Sequence, residues 1–227
     1  MNIYENIYLG TFIYKLGIET QKSGLVNDSS VNLFQQTPSD ETLSDLITGI
    51  NGKYLIIEFK KDKEDKKEIV KYNRLNDKII SSSPEMEEIS NQCHYLGVGK
   101  DNDINFYNYI DYFENSSSKK NTNFIKNYLD LNKNNDEQIG IKSANNFVKY
   151  LRFLQKTHKS NRSYSTSGLI VAQNGKGQIG LVGAENIESL IKTLDLSLNK
   201  NKDLDFVFGN ENSYNYNEDI DISPGGW

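Results

Sequence analysis

The sequence contains few of the residues that build disulfides and zinc sites. Its 227 residues include one cysteine, Cys93, and two histidines, His94 and His158. A single cysteine excludes an intrachain disulfide, and these three side chains are too few for a typical four-ligand structural zinc site. The candidate chemistry of this chain therefore rests on its carboxylates and lysines.

Long apolar runs and nucleotide-binding loops are also missing. No stretch approaches the about 20 consecutive apolar residues that cross a bilayer. The N-terminus carries Glu5 and several tyrosines instead of a basic region followed by an apolar one, so we expect no signal peptide. No glycine-rich loop precedes a Lys-Ser or Lys-Thr pair, as ATP-binding P-loops require. These absences favour a cytoplasmic protein that has no membrane contact and no ATPase of its own.

Basic residues are absent from the C-terminal tail, residues 203–227. Six acids stand there among tyrosines, phenylalanines and the terminal Trp227. The tail supplies six negative charges of the formal net charge of −5, so residues 1–202 carry +1. This composition is typical of disorder. Alternatively, the tail is a docking peptide that covers a basic groove of the same chain or anchors Trp227 in a pocket of a protein partner.

The periodicity of apolar residues predicts an α/β (α+β) fold with a central mixed β-sheet flanked by helices. Residues 19–41 are polar and are expected to form a loop. The expected helices span residues 2–16, 61–83, 143–159 and 185–198, with a short one inside 123–140. The expected strands span residues 43–50, 53–60, 93–100, 104–113, 168–173 and 178–184. Asn51-Gly52 predicts a hairpin between the first two strands, because both turn positions need positive φ.

The strand at residues 53–60, KYLIIEFK, ends with an acid and a base. Glu58 and Lys60 are two residues apart, so their side chains point to the same face. Burying them is costly unless they pair, meet solvent or act on a substrate, and an ordinary ion pair is the simplest alternative. In a hairpin that turns at residues 51–52, Asp45 comes to lie beside Glu58, because each is six residues from the turn.

Two converging carboxylates and a lysine predict metal-assisted chemistry. Asp45 and Glu58 would supply the oxygen ligands that Mg²⁺ or Mn²⁺ prefers. Lys60 could orient or deprotonate a water molecule and neutralise charge that develops on a phosphate. This combination predicts hydrolysis of phosphodiester bonds.

Over residues 1–115, the order of Asp45, a hairpin and Glu58-Phe59-Lys60 resembles the PD-(D/E)XK nuclease superfamily, which includes restriction endonucleases and many repair and defence nucleases. The resemblance implies a restriction-endonuclease-like mixed sheet, with Asp45 and Glu58 as metal ligands and Lys60 as the catalytic lysine. It also implies an Mg²⁺- or Mn²⁺-dependent enzyme that acts on DNA, and many members of this superfamily act as dimers.

Two details of the resemblance concern the acids. Some members contribute a further acid from the helix before the hairpin, and Glu5 is the candidate metal ligand, with Glu19 behind it. The acid of the first strand follows Ser44 and not the proline of the motif. The nearby match that contains proline ends at Asp40, so the choice of acid stays open, with Asp45 preferred because it directly enters the apolar strand.

Two helices carry basic residues that are candidates for contacts with nucleic-acid phosphates. On the helix at 61–83 the basic stripe comprises Lys67, Lys71, Arg74 and Lys78. The apolar residues opposite it are Ile69, Tyr72, Leu75 and Ile79. On the helix at 143–159 the candidates are Arg152 and Lys156. The alternative is that both basic faces are simply solvated.

The sequence thus predicts a single nuclease-like domain over residues 1–200, followed by the tail. The core motifs lie in residues 1–115, and residues 143–198 form a helix–hairpin–helix extension. Three hypotheses follow from different classes of protein. The chain is a DNA nuclease in defence or repair, or an inactive subunit with the same fold, or a protein-interaction module that works through its tail.

Overall fold

The computed structural model describes eleven segments of the chain. They comprise residues 5–25, 29–33, 46–50, 52–61, 66–82, 84–100, 103–114, 118–130, 138–158, 168–173 and 179–184. Asp45, the expected helix at 185–198 and the tail with Trp227 lie outside the described residues. None of the helices in these segments is both long and apolar enough to cross a lipid bilayer.

The described elements alternate between helices and strands. The helices are α1 (Glu5–Lys22), α2 (Lys66–Ser82), α3 (Pro84–Cys93), α4 (Tyr109–Glu114), α5 (Phe124–Leu129) and α6 (Ala144–His158). The strands are β1 (Ser29–Leu33), β2 (Leu46–Ile50), β3 (Lys53–Lys60), β4 (His94–Lys100), β5 (Asp103–Asn108), β6 (Gly168–Gln173) and β7 (Ile179–Ala184). The expected fold class, a mixed sheet flanked by helices, is confirmed at this level.

The strands form one seven-stranded sheet in the order β5-β4-β3-β2-β1-β6-β7. β3 and β4 are parallel, and α2 and α3 lie between them in the chain. Every other neighbouring pair in this sheet is antiparallel. The expected hairpin of β6 and β7 is confirmed, and it joins the same sheet through the pairing of β6 with β1.

The β2–β3 hairpin forms in the register that the sequence predicted. Leu46 pairs with Ile57, and Ile50 pairs with Lys53. Gly52 has φ of 71°, a backbone conformation that glycine adopts without steric cost. The turn chemistry and the apolar pattern therefore specify the same pairing.

Three expectations about element boundaries were wrong. α1 runs on to Lys22, and the expected loop at 19–41 contains β1, a strand with only two apolar residues that is paired on both sides. In addition, α3 was not expected; it begins at Pro84, and the first position of a helix suits proline because its amide needs no partner there. The expected strand at 104–113 ends at Asn108, where α4 begins.

Helices cover both faces of the sheet and create two apolar cores. One core contains side chains from α1 and α5, together with Leu55, Ile57 and Phe59 of β3. The other contains side chains from α2, α3, α4 and α6, together with Tyr54 and Ile56 of β3. Because β3 alternates between the two cores, Glu58 and Lys60 fall on the side of Tyr54 and Ile56. The end of β3 thus places a carboxylate and an ammonium group between packed layers.

Candidate functional site

The candidate site is a cluster of charged side chains at the end of β3. β3 contributes Glu58 and Lys60, and α2 contributes Glu68 and Lys71. The first residue of α1, Glu5, reaches Lys60 from a third element. We call these five residues the β3-end cluster. Its members come from sequence positions up to 66 residues apart (Glu5 to Lys71), so the fold itself assembles it.

Lys60 is the centre of the cluster. Its Nζ lies 3.0 Å from Glu58 Oε1, 3.5 Å from Glu68 Oε2 and 3.9 Å from Glu5 Oε2. Only 13% of the Lys60 side chain is exposed. One ammonium group is therefore surrounded by three carboxylates in a place that water reaches poorly.

Lys71 supplies a second cation to the same carboxylate. Its Nζ donates to Glu58 Oε2 at 2.9 Å, so the two oxygens of Glu58 face two different lysines. The Glu58 side chain is 2% exposed and that of Lys71 is 12% exposed. Such a pair gains from the weak screening of the interior, but it must first offset the desolvation of each ion.

The surroundings shift the pKa values of this pair in a consistent way. Burial opposes the ionisation of Glu58, yet the charges of Lys71 and Lys60 together hold its pKa below the ordinary value. Burial likewise opposes the charge of Lys71, but the carboxylates of Glu58 and Glu68 raise its pKa. Glu58 is therefore an anion, and Lys71 a cation, throughout the physiological pH range.

Glu68 differs from Glu58, although both are buried carboxylates. Burial, and then the negative charge of Glu58, raise the pKa of Glu68 to about 7. Its Oε1 accepts a hydrogen bond from the hydroxyl of Tyr109. Burial and the neighbouring carboxylates keep the pKa of Tyr109 above its ordinary value, so this phenol remains a donor. Glu68 thus changes charge near neutral pH while Glu58 does not.

A buried polar network extends from Tyr109 away from the cluster. The ring of His94 stacks on that of Tyr109, with centroids 4.1 Å apart and planes within 5°. His94 Nδ1 lies 2.9 Å from the hydroxyl of Tyr150, which donates to Ser90 Oγ at 2.8 Å. The network links β4, α3, α4 and α6 behind Glu68. It fixes the ring that holds this carboxylate, which is a positioning role.

The carboxylate oxygens of the cluster are ligand atoms of the type that a hard divalent cation prefers. Glu58 and Glu68 offer carboxylate oxygens, the usual ligands of Mg²⁺ and Mn²⁺. Within the described segments, no group of three or more histidines, cysteines, aspartates or glutamates is arranged to hold a metal ion. Asp45, the further ligand expected from the sequence, precedes Leu46 and lies outside those segments.

The structure brings four of the sequence-predicted site residues together. They are Glu5, Glu58, Lys60 and Lys71. The remaining basic candidates are exposed on α2 and α6, and they are Lys67, Arg74, Lys78, Arg152 and Lys156. The predicted stripe on α2 is therefore divided, because Lys71 points to the cluster while the other three face solvent. Ile69, expected in the apolar face, is 38% exposed.

Sequence reasoning missed Glu68 and Tyr109. Glu68 is one of the acids on the helix that carries the basic stripe. Its spacing of three residues from Lys71 was the available signal, because residues three apart are neighbours on a helix. No comparable signal points to Tyr109, which lies 41 residues from Glu68.

Comparison with known proteins leaves the geometry as the basis for interpretation. No family model matches the chain. No curated protein and no solved structure matches it either.

Proposed function

We propose that this protein is a metal-dependent nuclease that hydrolyses phosphodiester bonds of DNA, with a restriction-endonuclease-like fold. One observation carries the proposal: Lys60 lies between three carboxylates from three elements, at the end of a strand next to a hairpin. The parallel pairing of β3 with β4 through α2 and α3 agrees with the fold that the sequence resemblance implies. The proposal includes a cytoplasmic protein that acts in defence or repair, as a homo-oligomer.

The acids of the site are the candidate metal ligands. Glu58 and Glu68 are the described carboxylates that would hold Mg²⁺ or Mn²⁺, and Asp45 joins them on sequence grounds, with Glu5 at the rim. A bound divalent cation supplies Lewis-acid polarisation of a phosphoryl oxygen and lowers the pKa of a bound water. The pKa of Glu68 is about 7 without a cation, and a bound divalent cation would favour the ionised form, which is the form that binds metal.

The lysines have separate tasks in this proposal. Lys60, which is 13% exposed, reaches the surface of the site and neutralises charge that develops on the phosphoryl group. Lys71 is paired with Glu58 and keeps this carboxylate ionised and oriented, so it acts as a positioning residue. The exposed residues Lys67, Arg74 and Lys78 share α2 with Lys71, and they contact the phosphates of the substrate on either side of the site.

The test is cleavage of plasmid and single-stranded DNA by the full-length protein with Mg²⁺, with Mn²⁺ or with EDTA. We expect metal-dependent products from the wild type, and at least about a hundredfold less product from Glu58→Gln. Glu87→Gln is the matched control, because Glu87 is an exposed glutamate of α3 outside the cluster. Cleavage by Glu58→Gln at the rate of this control would refute the assignment.

A second variant separates loss of catalysis from loss of folding. Glu58→Gln leaves Lys60 and Lys71 with less compensating charge, which alone can destabilise the protein. Lys60→Arg keeps the positive charge but not the compact ammonium group, and a guanidinium does not give up a proton near neutral pH. A folded Lys60→Arg protein that has lost cleavage supports the catalytic role, whereas full activity excludes it.

One observation favours a second candidate, an inactive subunit with the same fold. Both oxygens of Glu58 already face lysines, so this carboxylate is compensated without a metal. Such a protein binds nucleic acid through its exposed basic residues and produces no metal-dependent cleavage. Salt-sensitive DNA binding by folded wild-type protein, together with no product in Mg²⁺ or Mn²⁺, would select this candidate.

A further inference from the structure

A polar cavity of 510 Å³ lies away from the β3-end cluster, where β4 begins and β5 ends. None of the five cluster residues lines it. α3, β5, α5 and the segment before α5 contribute its walls. Its volume is within the range of about 300–1,000 Å³ that is typical of small-molecule sites.

The lining of this cavity is dominated by amide side chains. Seven of its thirteen residues are asparagine or glutamine. An amide offers a donor and an acceptor in one plane, which matches the edge of a nucleobase better than it matches an ion or a lipid. The charged residues of the lining are Glu88, Lys119 and Lys120.

Several of the amides are held in place by the protein. Asn121 Nδ2 donates to Asn108 Oδ1 at 3.1 Å, and Asn108 Nδ2 donates to the backbone oxygen of Asn91. Asn127 Nδ2 donates to the backbone oxygen of Thr122 at 3.1 Å. These contacts fix the walls before any ligand arrives, and such pre-organisation lowers the cost of binding.

One residue of the lining, Asn91, has a side-chain acceptor without a hydrogen-bond donor among the described residues. Its Oδ1 is buried and has no hydrogen-bond partner within the described part of the chain. A buried acceptor without a donor costs stability, and a rotation of the Asn91 side chain that turns this atom into the cavity would let an N–H group of a ligand satisfy it. The ring and exocyclic N–H groups of nucleobases are donors of this kind.

Two adjacent lysines provide the complementary charge for a phosphate. Lys119 and Lys120 line the cavity and are exposed, so their ammonium groups can approach an anion without the cost of burial. Uncharged amides inside and cations at exposed positions suit a ligand with a neutral planar part and an anionic part.

We propose that this cavity binds a nucleoside monophosphate, either free or as one unit of a single-stranded nucleic acid. The base meets the amides and donates to Asn91, and the phosphate meets Lys119 and Lys120. The proposal does not depend on the nuclease activity, because no residue is shared between the two sites.

The test is calorimetric titration of the full-length protein with each of the common nucleoside 5′-monophosphates and with ribose 5-phosphate. We expect saturable binding of at least one mononucleotide, and binding of ribose 5-phosphate that is weaker by at least about tenfold. Equal binding of ribose 5-phosphate would overturn the proposal, because the base would then contribute nothing.

Three variants locate the binding. Asn91→Leu removes the unpaired acceptor, so it should lose at least about tenfold in affinity while the melting temperature stays the same or rises. Replacement of both Lys119 and Lys120 by alanine should weaken binding and reduce its salt dependence. Asn145→Ala, an exposed amide of α6 outside the cavity, is the control. Wild-type affinity in Asn91→Leu would refute the site.

Short single-stranded oligonucleotides distinguish the two sources of the ligand. Binding of an oligonucleotide that is tighter than that of its mononucleotide, and is lost in Asn91→Leu, identifies a strand as the source. Tighter binding of the mononucleotide identifies the free ligand. Absence of binding by both classes overturns the proposal. Lys60→Arg should leave nucleotide binding unchanged, which separates this result from the test of nuclease activity.

Discussion

β3 carries a lysine at each end, and the two have different partners. Lys53 is fully buried, and its Nζ donates to the backbone oxygens of Asp130 at 2.9 Å and Asn127 at 3.4 Å. It also lies over the ring of Tyr128. Lys60 lies instead among carboxylates. One end of the strand offers dipoles to an ammonium group, and the other offers full negative charges.

The difference between the two sets of partners is reflected in the pKa of Lys53. Burial, and then the charge of Lys142, lower the pKa of Lys53 to about 8, and Asp130 opposes this shift only in part. Carbonyl dipoles at the end of α5 satisfy its donors but do not replace hydration of the charge. The comparison teaches that hydrogen bonding and charge compensation are separate requirements. Lys53 meets the first, as a cap for α5, and the cluster around Lys60 meets both.

The largest expected effect comes from removing the carboxylate that compensates two lysines. Glu58→Leu leaves Lys60 and Lys71 buried without their main partner, and we expect a loss of about 3–5 kcal/mol in the free energy of unfolding. Urea denaturation followed by circular dichroism measures this loss.

Two further variants sharpen this result. Glu87→Leu, at an exposed position of α3, should change stability by less than about 0.5 kcal/mol. Combining Glu58→Leu with Lys71→Leu should recover part of the loss, because one uncompensated charge is then removed. If Glu58→Leu is no more harmful than Glu87→Leu, the compensation argument is wrong.

The next effect concerns the pH dependence of stability that Glu68 imposes. Its pKa is raised from 4.5 to about 7 in the folded protein, so between these values the folded state binds more protons than the unfolded state. Stability must therefore fall as pH rises through this window. Glu68→Gln lacks this titration. As pH rises through the window, we therefore expect the free energy of unfolding of the wild type to fall by about 1–3 kcal/mol relative to that of Glu68→Gln.

Urea denaturation of both proteins at about pH 5 and pH 8 measures the Glu68 contribution. Glu58 contributes with the opposite sign, because its lowered pKa gives stability that is lost only as pH falls below about 4.5. This contribution is common to both proteins and cancels in the comparison. Parallel pH profiles for the wild type and Glu68→Gln would show that Glu68 is not perturbed.

Lys53→Met tests the other end of the strand. The substitution removes two hydrogen bonds to backbone oxygens at the end of α5, but it also removes a buried charge. We expect a net loss of about 1–2 kcal/mol near neutral pH, smaller than that of Glu58→Leu.

The alkaline pH profile gives the sign of the Lys53 shift. Because its folded pKa of about 8 lies below the ordinary 10.5, the unfolded state binds more protons between these values. The wild type should therefore gain stability relative to Lys53→Met as pH rises from 8 to 10.5. A relative loss over this range would mean that the carbonyl groups stabilise the charged form after all.

The part of the fold that follows from local rules could be predicted. The Asn51-Gly52 turn and the apolar run of KYLIIEFK were sufficient for the β2–β3 hairpin and its register. The position of Glu58 and Lys60 on one face followed from strand geometry, and they do pair. β1 could not be predicted in this way, because two apolar residues are too few to establish a pattern and the strand depends on neighbours from both sides.

The partners of the site residues were less accessible to sequence reasoning. The predicted basic stripe placed Lys71 with solvent-facing lysines, because helical periodicity gives a direction around the helix but not what lies there. Only the packing of α2 against the end of β3 turns Lys71 towards Glu58. The amide cavity could not be predicted either. Asn91, Asn108 and Asn121 belong to separate elements, and only the fold brings them together.

The smallest expected effect comes from an exposed ion pair, which extends the comparison to the surface. Lys149 of α6 pairs with Glu85 of α3, and about half of each side chain is exposed. Water solvates both ions well, so little is gained by their contact and little is lost without it. In a double-mutant cycle with Lys149→Ala and Glu85→Ala, we expect a coupling free energy below about 0.5 kcal/mol that shrinks further in high salt. A salt-insensitive coupling above about 1 kcal/mol would mean that this pair is shielded from water and helps to hold α6 on α3.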